Sequence, residues 1–134
     1  GLATATDQGL VVPVVRDCDR QPLGALVAQV RGLVERARAG KFAADDLRGG
    51  TFTVSNLGMY PVSHFAAVVN PPQAAILAVG TVRSVPVVRD GEVVPGHLMT
   101  VTLSCDHRIV DGALAGRFLR ELVHLLEAPL ALVA

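Results

Sequence analysis

A chain of 134 residues, 51% of them apolar and only 18% charged, has the length of one domain and ample material for a buried core. Twelve basic residues balance twelve acidic ones, so no long-range field draws the chain toward nucleic acid or an anionic membrane. The longest apolar runs, Ala74 to Val79 and Leu130 to Ala134, fall far short of the roughly 20 residues a membrane span needs.

Cys18 and Cys105 are far apart, without CxxC spacing or a nearby histidine cluster, which indicates neither a disulfide framework nor a zinc site and points to a reducing compartment. The chain opens at Gly1 in strand-like sequence, with no initiating Met and no charged-then-apolar leader, and reads as a fragment of a longer protein.

Leu10 to Val15, rich in Val, predicts a short buried strand, with Pro13 marking an edge or bulge. From Pro22 the apolar residues Leu23, Leu26, Val27, Val30, Val34 and Ala37 recur at three- and four-residue steps, the period of one helical face. Pro22 suits the first turn of that helix and Gly40 its C-terminal cap. Arg31, Glu35 and Arg38 fall on the opposite, solvated side.

Gly49 and Gly50 precede a strand at Thr51 to Ser55, and Asn56 to Val62 carries the residues of a loop. After the break at Asn70, Pro71 and Pro72, Ala74 to Val82 is apolar enough for a strand buried on both faces. Asp90-Gly91 between Val85 to Val88 and Glu92 to Val94 is a hairpin turn, because that pair accepts positive φ. His97 to Ser104 alternates as another strand. A final helix is expected from Gly112 to Glu127, with Leu114, Phe118, Leu122, Leu125 and Leu126 on its apolar face, Asp111 as N-cap and Pro129 beyond its end. Strands mixed with two amphipathic helices predict an α/β layer packing in one domain.

Chemistry concentrates in Ser104-Cys105-Asp106-His107-Arg108-Ile109-Val110-Asp111-Gly112, where a strand ends and a helix begins. His107 can take a proton near neutral pH, since imidazole titrates at ~6.5, and a thiol of pKa ~8.5 is a suitable donor for it. Asp111, four residues on, is either a carboxylate that orients this base or simply the helix cap. Asp106 and Arg108 are either supports for the histidine or a local surface pair. Cys105 points to the opposite face of its strand from its neighbours and reads as a core thiol. His64, His97 and His124 lack metal-ligand spacing and read as structural or exposed.

Asp106-His107-Arg108 followed by Asp111-Gly112 resembles the HxxxDG signature of the dihydrolipoamide acyltransferases of 2-oxo acid dehydrogenase complexes. Gly49 to Gly58, Asn70 to Leu77 and Asp7 to Arg20 are similar to the family's other blocks in the same order, so the likeness covers the whole chain. It implies an α/β fold of the chloramphenicol-acetyltransferase type, a mixed sheet flanked by helices and packed as trimers. It implies acyl transfer between dihydrolipoamide and coenzyme A, with His107 as base, Ser55 as hydroxyl donor to the oxyanion and Asp111 in support, His107 and Ser55 meeting across a subunit boundary. No metal is required. Residues 1–134 would be the C-terminal part of the catalytic domain, its N-terminal part and the lipoyl and subunit-binding domains lying outside, with lipoamide carried on the lipoyl domain.

The resemblance further implies partners: two more copies, a cubic or dodecahedral core joined through an apolar tail such as Leu130 to Ala134, and the 2-oxo acid decarboxylase and dihydrolipoamide dehydrogenase components. It implies the bacterial cytoplasm or the mitochondrial matrix. Asn56 to Tyr60 and Phe65 to Val69 look closest to pyruvate-type members, with branched-chain acyl enzymes as near relatives. The rivals are a non-catalytic core protein of the same fold and a chloramphenicol-type acetyltransferase.

Overall fold

Short strands Thr4–Thr6 (β1) and Gly9–Val11 (β2) open the chain as an antiparallel hairpin. Helix α1 spans Leu23–Arg38, followed by strand β3 at Thr53–Asn56 and strand β4 at Ala75–Val79. A second hairpin joins Arg83–Arg89 (β5) to Glu92–Leu98 (β6), and the chain ends with strand β7 at Val101–Cys105 and helix α2 at Gly112–Glu127. The structure, a computed structural model, describes residues 1–132. Among these residues no helix is long and apolar enough to cross a membrane.

Strand β4 organises the fold. It pairs in parallel with β3 and antiparallel with β7, giving a mixed sheet of order β3-β4-β7. Being flanked on both edges, its Ala75, Ile76, Leu77 and Ala78 are all buried, as an unbroken apolar run requires. Residues 1–3 extend the other edge of β3: Ala3 N–H donates to the Val54 carbonyl and Val54 N–H to that of Gly1. Phe52, on the Val54 side of the sheet, meets Phe118 of α2 with ring centroids 5.7 Å apart, while α1 packs against β1. Alternation along the strands leaves the other face to Thr53, Ser55, Ile76, Ala78, Thr102 and Ser104.

The helix ends follow their cap chemistry. Gly40 adopts φ 67°, its N–H donates to the Ala37 carbonyl and that of Lys41 to Arg36, which satisfies the last carbonyls of α1. On α1 Leu33 and Ala37 are buried and Leu26, Val30 and Val34 half-buried; Leu23 and Val27 are exposed because they sit on the flank, a correction to the expected face. On α2 the half-buried residues are Ala115, Leu119, Leu122 and Leu125, whereas Leu114, Phe118 and Leu126 remain largely exposed.

Several expected strands have different bounds, and Ala74 to Val82 is strand only over Ala75–Val79. Leu10 to Val15 is strand only as far as Val11, because Pro13 has no N–H for a ladder and the Val14 N–H turns instead to the Asp46 carbonyl. Thr51 and Phe52 form a bend after Gly49, and β3 begins where Thr53 finds Ile76. His97 to Ser104 is two strands: His97 and Leu98 complete β6 against Ser84 and Arg83, and the chain breaks at Met99 and Thr100 before β7. Asp90 and Gly91 sit at φ 51° and 82°, the turn their sequence predicts.

The surface is large for the mass. A compact 14.0 kDa monomer exposes roughly 6,700 Å², against 9390 Å² here. The β5–β6 hairpin carries Val88 and Val93, each 72% exposed. The C-terminal turn Pro129–Leu132 is also exposed, and Val133 and Ala134 of the expected apolar tail lie outside the described residues.

Gly80 closes the end of β4 between two backbone segments: its N–H donates to the Thr100 carbonyl, and a Cβ there would collide with the Ser63 carbonyl oxygen and lie 3.2 Å from that of Thr100. Gly80→Ala is expected to cost about 1–3 kcal/mol by overpacking, read as a lower midpoint in urea or thermal unfolding. Gly116→Ala, with open space at its Cβ within α2, should be neutral or stabilise by about 1 kcal/mol.

Candidate active site

Strand β7 reaches past Cys105 through one more ladder bond, from Asp106 N–H to the Ala74 carbonyl at 2.8 Å. The chain then turns. The Asp106 carbonyl accepts from both Ile109 and Val110 N–H at 3.0 Å, and the exposed His107 stands at the start of this turn. The Asp106 carboxylate accepts from the Arg108 backbone N–H at 3.0 Å and from its guanidinium Nε and Nη2, at 3.0 and 2.7 Å to the nearer oxygens. These hydrogen bonds hold the Asp106 carboxyl down at about 2, against a usual 3.8, and raise the Arg108 guanidinium above its ordinary value.

Asp111 Oδ1 accepts from Leu114 N–H at 2.7 Å, the N-cap bond of α2. Cys105 is half-buried and free, on the face opposite Ser104. His64, His97 and His124 are all exposed, with His64 Nδ1 3.1 Å from Ser63 Oγ.

Ser55 lies near the end of β3, level with Ala78, and the loop beyond is tied back by Leu57 N–H to the Val79 carbonyl and Gly58 N–H to Asn56 Oδ1. It is half-buried and borders a cleft of about 410 Å³ with Thr53, Ile76, Phe65, Ala67 and Val69. Phe65, Ala67 and Val69 alternate with the exposed Ala66, Val68 and Asn70, so the segment lies extended over the sheet.

Sequence reasoning assigned nothing to Gln73. Its Oε1 accepts from the fully buried Thr53 hydroxyl at 2.6 Å, and its Nε2 would lie 2.8 Å from a Cβ on Gly50, which explains that glycine. Through Gln73 and the adjacent Ala74 carbonyl, the start of β4 holds β3 on one side and Asp106 on the other. No local signal marks this, because the partners are 20 and 32 residues away.

Ser55 and His107 do not meet in one chain. Cys105 is level with Ala75, and His107 is two residues further, so the two sit about five residues apart along the strands and on opposite sides of β4. That is roughly 16 Å along and two strand spacings of about 4.8 Å across. A contact between them requires a second copy.

Two measurements check this geometry. Asp111→Ala should cost about 1 kcal/mol of stability and Asp111→Asn only a few tenths, since amide and carboxylate cap equally well; denaturation midpoints decide. Asp106 should titrate at about 2 by carbonyl NMR and move toward 3.8 in Arg108→Ala. Because the folded value is the lower one, whatever the pair adds to stability is complete above pH 3.8 and fades as the pH falls through about 2.

The sequence matches the family described as 2-oxoacid dehydrogenases acyltransferase (catalytic domain) over residues 1–134. The mitochondrial dihydrolipoyllysine-residue acetyltransferase component of the pyruvate dehydrogenase complex of Schizosaccharomyces pombe is 45% identical over 98% of this chain and 28% of its own length. Dihydrolipoamide acetyltransferase of Azotobacter vinelandii superposes with a TM-score of 0.93 at 40% identity, over 100% of this chain and 55% of that one. The cubic core of a pyruvate dehydrogenase multienzyme complex superposes with a TM-score of 0.88 at 41% identity, over 94% and 52%. The chain thus spans less than a third of the curated relatives and about half of the solved chains. In the Azotobacter protein a serine, a histidine and an asparagine, spaced 52 and then 4 residues apart, were investigated for their role in the catalytic mechanism.

Proposed function

The chain belongs to the 2-oxoacid dehydrogenase acyltransferase family, and on that premise we propose that it is the C-terminal part of a catalytic domain that moves an acyl group between dihydrolipoamide and coenzyme A. The observation that carries this reading is a spacing. Ser55, His107 and Asp111 stand 52 and 4 residues apart, as the three residues investigated in the Azotobacter enzyme do, on a fold that superposes throughout. The one difference, aspartate for asparagine, exchanges two residues that cap a helix equally well, and capping is what the Asp111 carboxylate does.

His107 takes the proton of the incoming thiol. The thiolate attacks the thioester carbonyl, and Ser55 of a neighbouring copy donates its hydroxyl hydrogen bond to the oxyanion, worth about 3 kcal/mol. The tetrahedral intermediate then collapses, expelling the second thiolate, which recovers the proton from the imidazolium. Asp111 serves by holding the helix start behind His107.

Acetyl is the acyl group favoured by the relatives, which are acetyltransferases of pyruvate dehydrogenase complexes. The partners that follow are two further copies in a chloramphenicol-acetyltransferase-like trimer and a cubic or larger core. The lipoyl group comes from a domain outside these residues, and the 2-oxo acid decarboxylase and dihydrolipoamide dehydrogenase act with the core. Relatives from a bacterium and from mitochondria favour the cytoplasm or the mitochondrial matrix.

His107→Ala is expected to reduce acetyl transfer from acetyl-coenzyme A to dihydrolipoamide by about 10²–10⁴-fold, and Ser55→Ala by about 10²–10³-fold. Co-expressing the two variants should restore a fraction of the activity, because an interface can join His107 of one copy to Ser55 of the other. Mixed assemblies no better than either variant alone would end the shared site, and a near-normal rate in His107→Ala would end the whole reading.

A further inference from the structure

We infer that Asp106 and Arg108 form a clamp that positions the imidazole of His107, an inference that rests on the reading of His107 as the base. Among the described residues His107 has no hydrogen-bond partner for its ring, and Oδ1 of Asp111, four residues on, accepts from Leu114 N–H. The place of the imidazole is therefore set by the backbone that carries it.

That backbone converges on Asp106. Its N–H is tied to Ala74, its carbonyl receives Ile109 and Val110, and its carboxylate receives the Arg108 N–H in an Asx-type turn that spans His107. The Arg108 guanidinium then grips the same carboxylate with Nε and Nη2, so the residues before and after His107 are joined side chain to side chain. A fork-to-carboxylate pair fixes direction as well as distance. Since the Arg108 side chain is 88% exposed, the pair adds little to global stability, and its effect falls on geometry. Proton transfer is sensitive to geometry: a misplacement of about 1 Å can cost on the order of 100-fold in rate.

Acyl transfer by the assembled protein, with kcat and the KM for coenzyme A measured separately beside the thermal midpoint, tests the clamp. Asp106→Ala, which removes both the Asx bond and the pair, should lower kcat by about 10–100-fold; Arg108→Ala, which keeps the Asx bond, should lower it by a smaller factor of about 3–10. In both, KM should stay within about two-fold and the midpoint within a degree or two. Asp106→Asn, whose Oδ1 can still accept from the Arg108 N–H, should recover much of the loss. Unchanged kcat in Asp106→Ala overturns the clamp, and so does a loss that appears equally in KM and in the melting midpoint, since the pair would then be merely structural. If the unaltered protein transfers no acyl group, the proposed function fails. The clamp is then decided by hydrogen exchange, where Asp106→Ala must speed the Ile109 and Val110 amides by about ten-fold or more, and unchanged exchange overturns it.

Discussion

The double pairing of β4 is the constraint on which the molecule depends. A strand hydrogen-bonded on both edges and covered on both faces has one register, because a one-residue slip would exchange its buried faces. That register aligns Ser55 with Ala78 and Cys105 with Ala75, and so sends the serine and the histidine toward opposite ends of the sheet. Chemistry that needs a hydroxyl and an imidazole around one thioester must then be assembled from two chains. The same strand supplies the anchors at its start, where Gln73 holds Thr53 and the Ala74 carbonyl holds Asp106.

Around His107 nearly every polar group has a structural task. Asp111 caps α2, the Asp106 carboxylate binds Arg108, and the Asp106 carbonyl closes the turn. Among the described residues the imidazole has no hydrogen-bond partner, and it stands at an exposed junction from which a strand, a turn and a helix depart. Apolar side chains on the β5–β6 hairpin and α2, among them Val88, Val93 and Leu126, are exposed.

The departures from expectation share a cause. Leu10 to Val15 and His97 to Ser104 carry good strand patterns, yet both are interrupted, one by a proline that cannot donate and the other by the hairpin drawing His97 and Leu98 into its own ladder. Leu33, outside the α1 stripe that periodicity predicts, is buried because several apolar residues crowd that side of the helix and only packing against the rest of the chain selects among them.

From its sequence alone this protein could be assigned its helix ends, its Asp90-Gly91 turn, the central apolar strand, the chemistry gathered about His107 and the family those residues resemble. Each of these is a local matter, settled by backbone preference, periodicity or the identity of neighbouring residues. Tertiary structure decided the rest: the register that separates Ser55 from His107 and the staple at Gln73. These depend on which strands lie side by side and on which of several possible partners a polar group meets, and short-range pattern does not encode either.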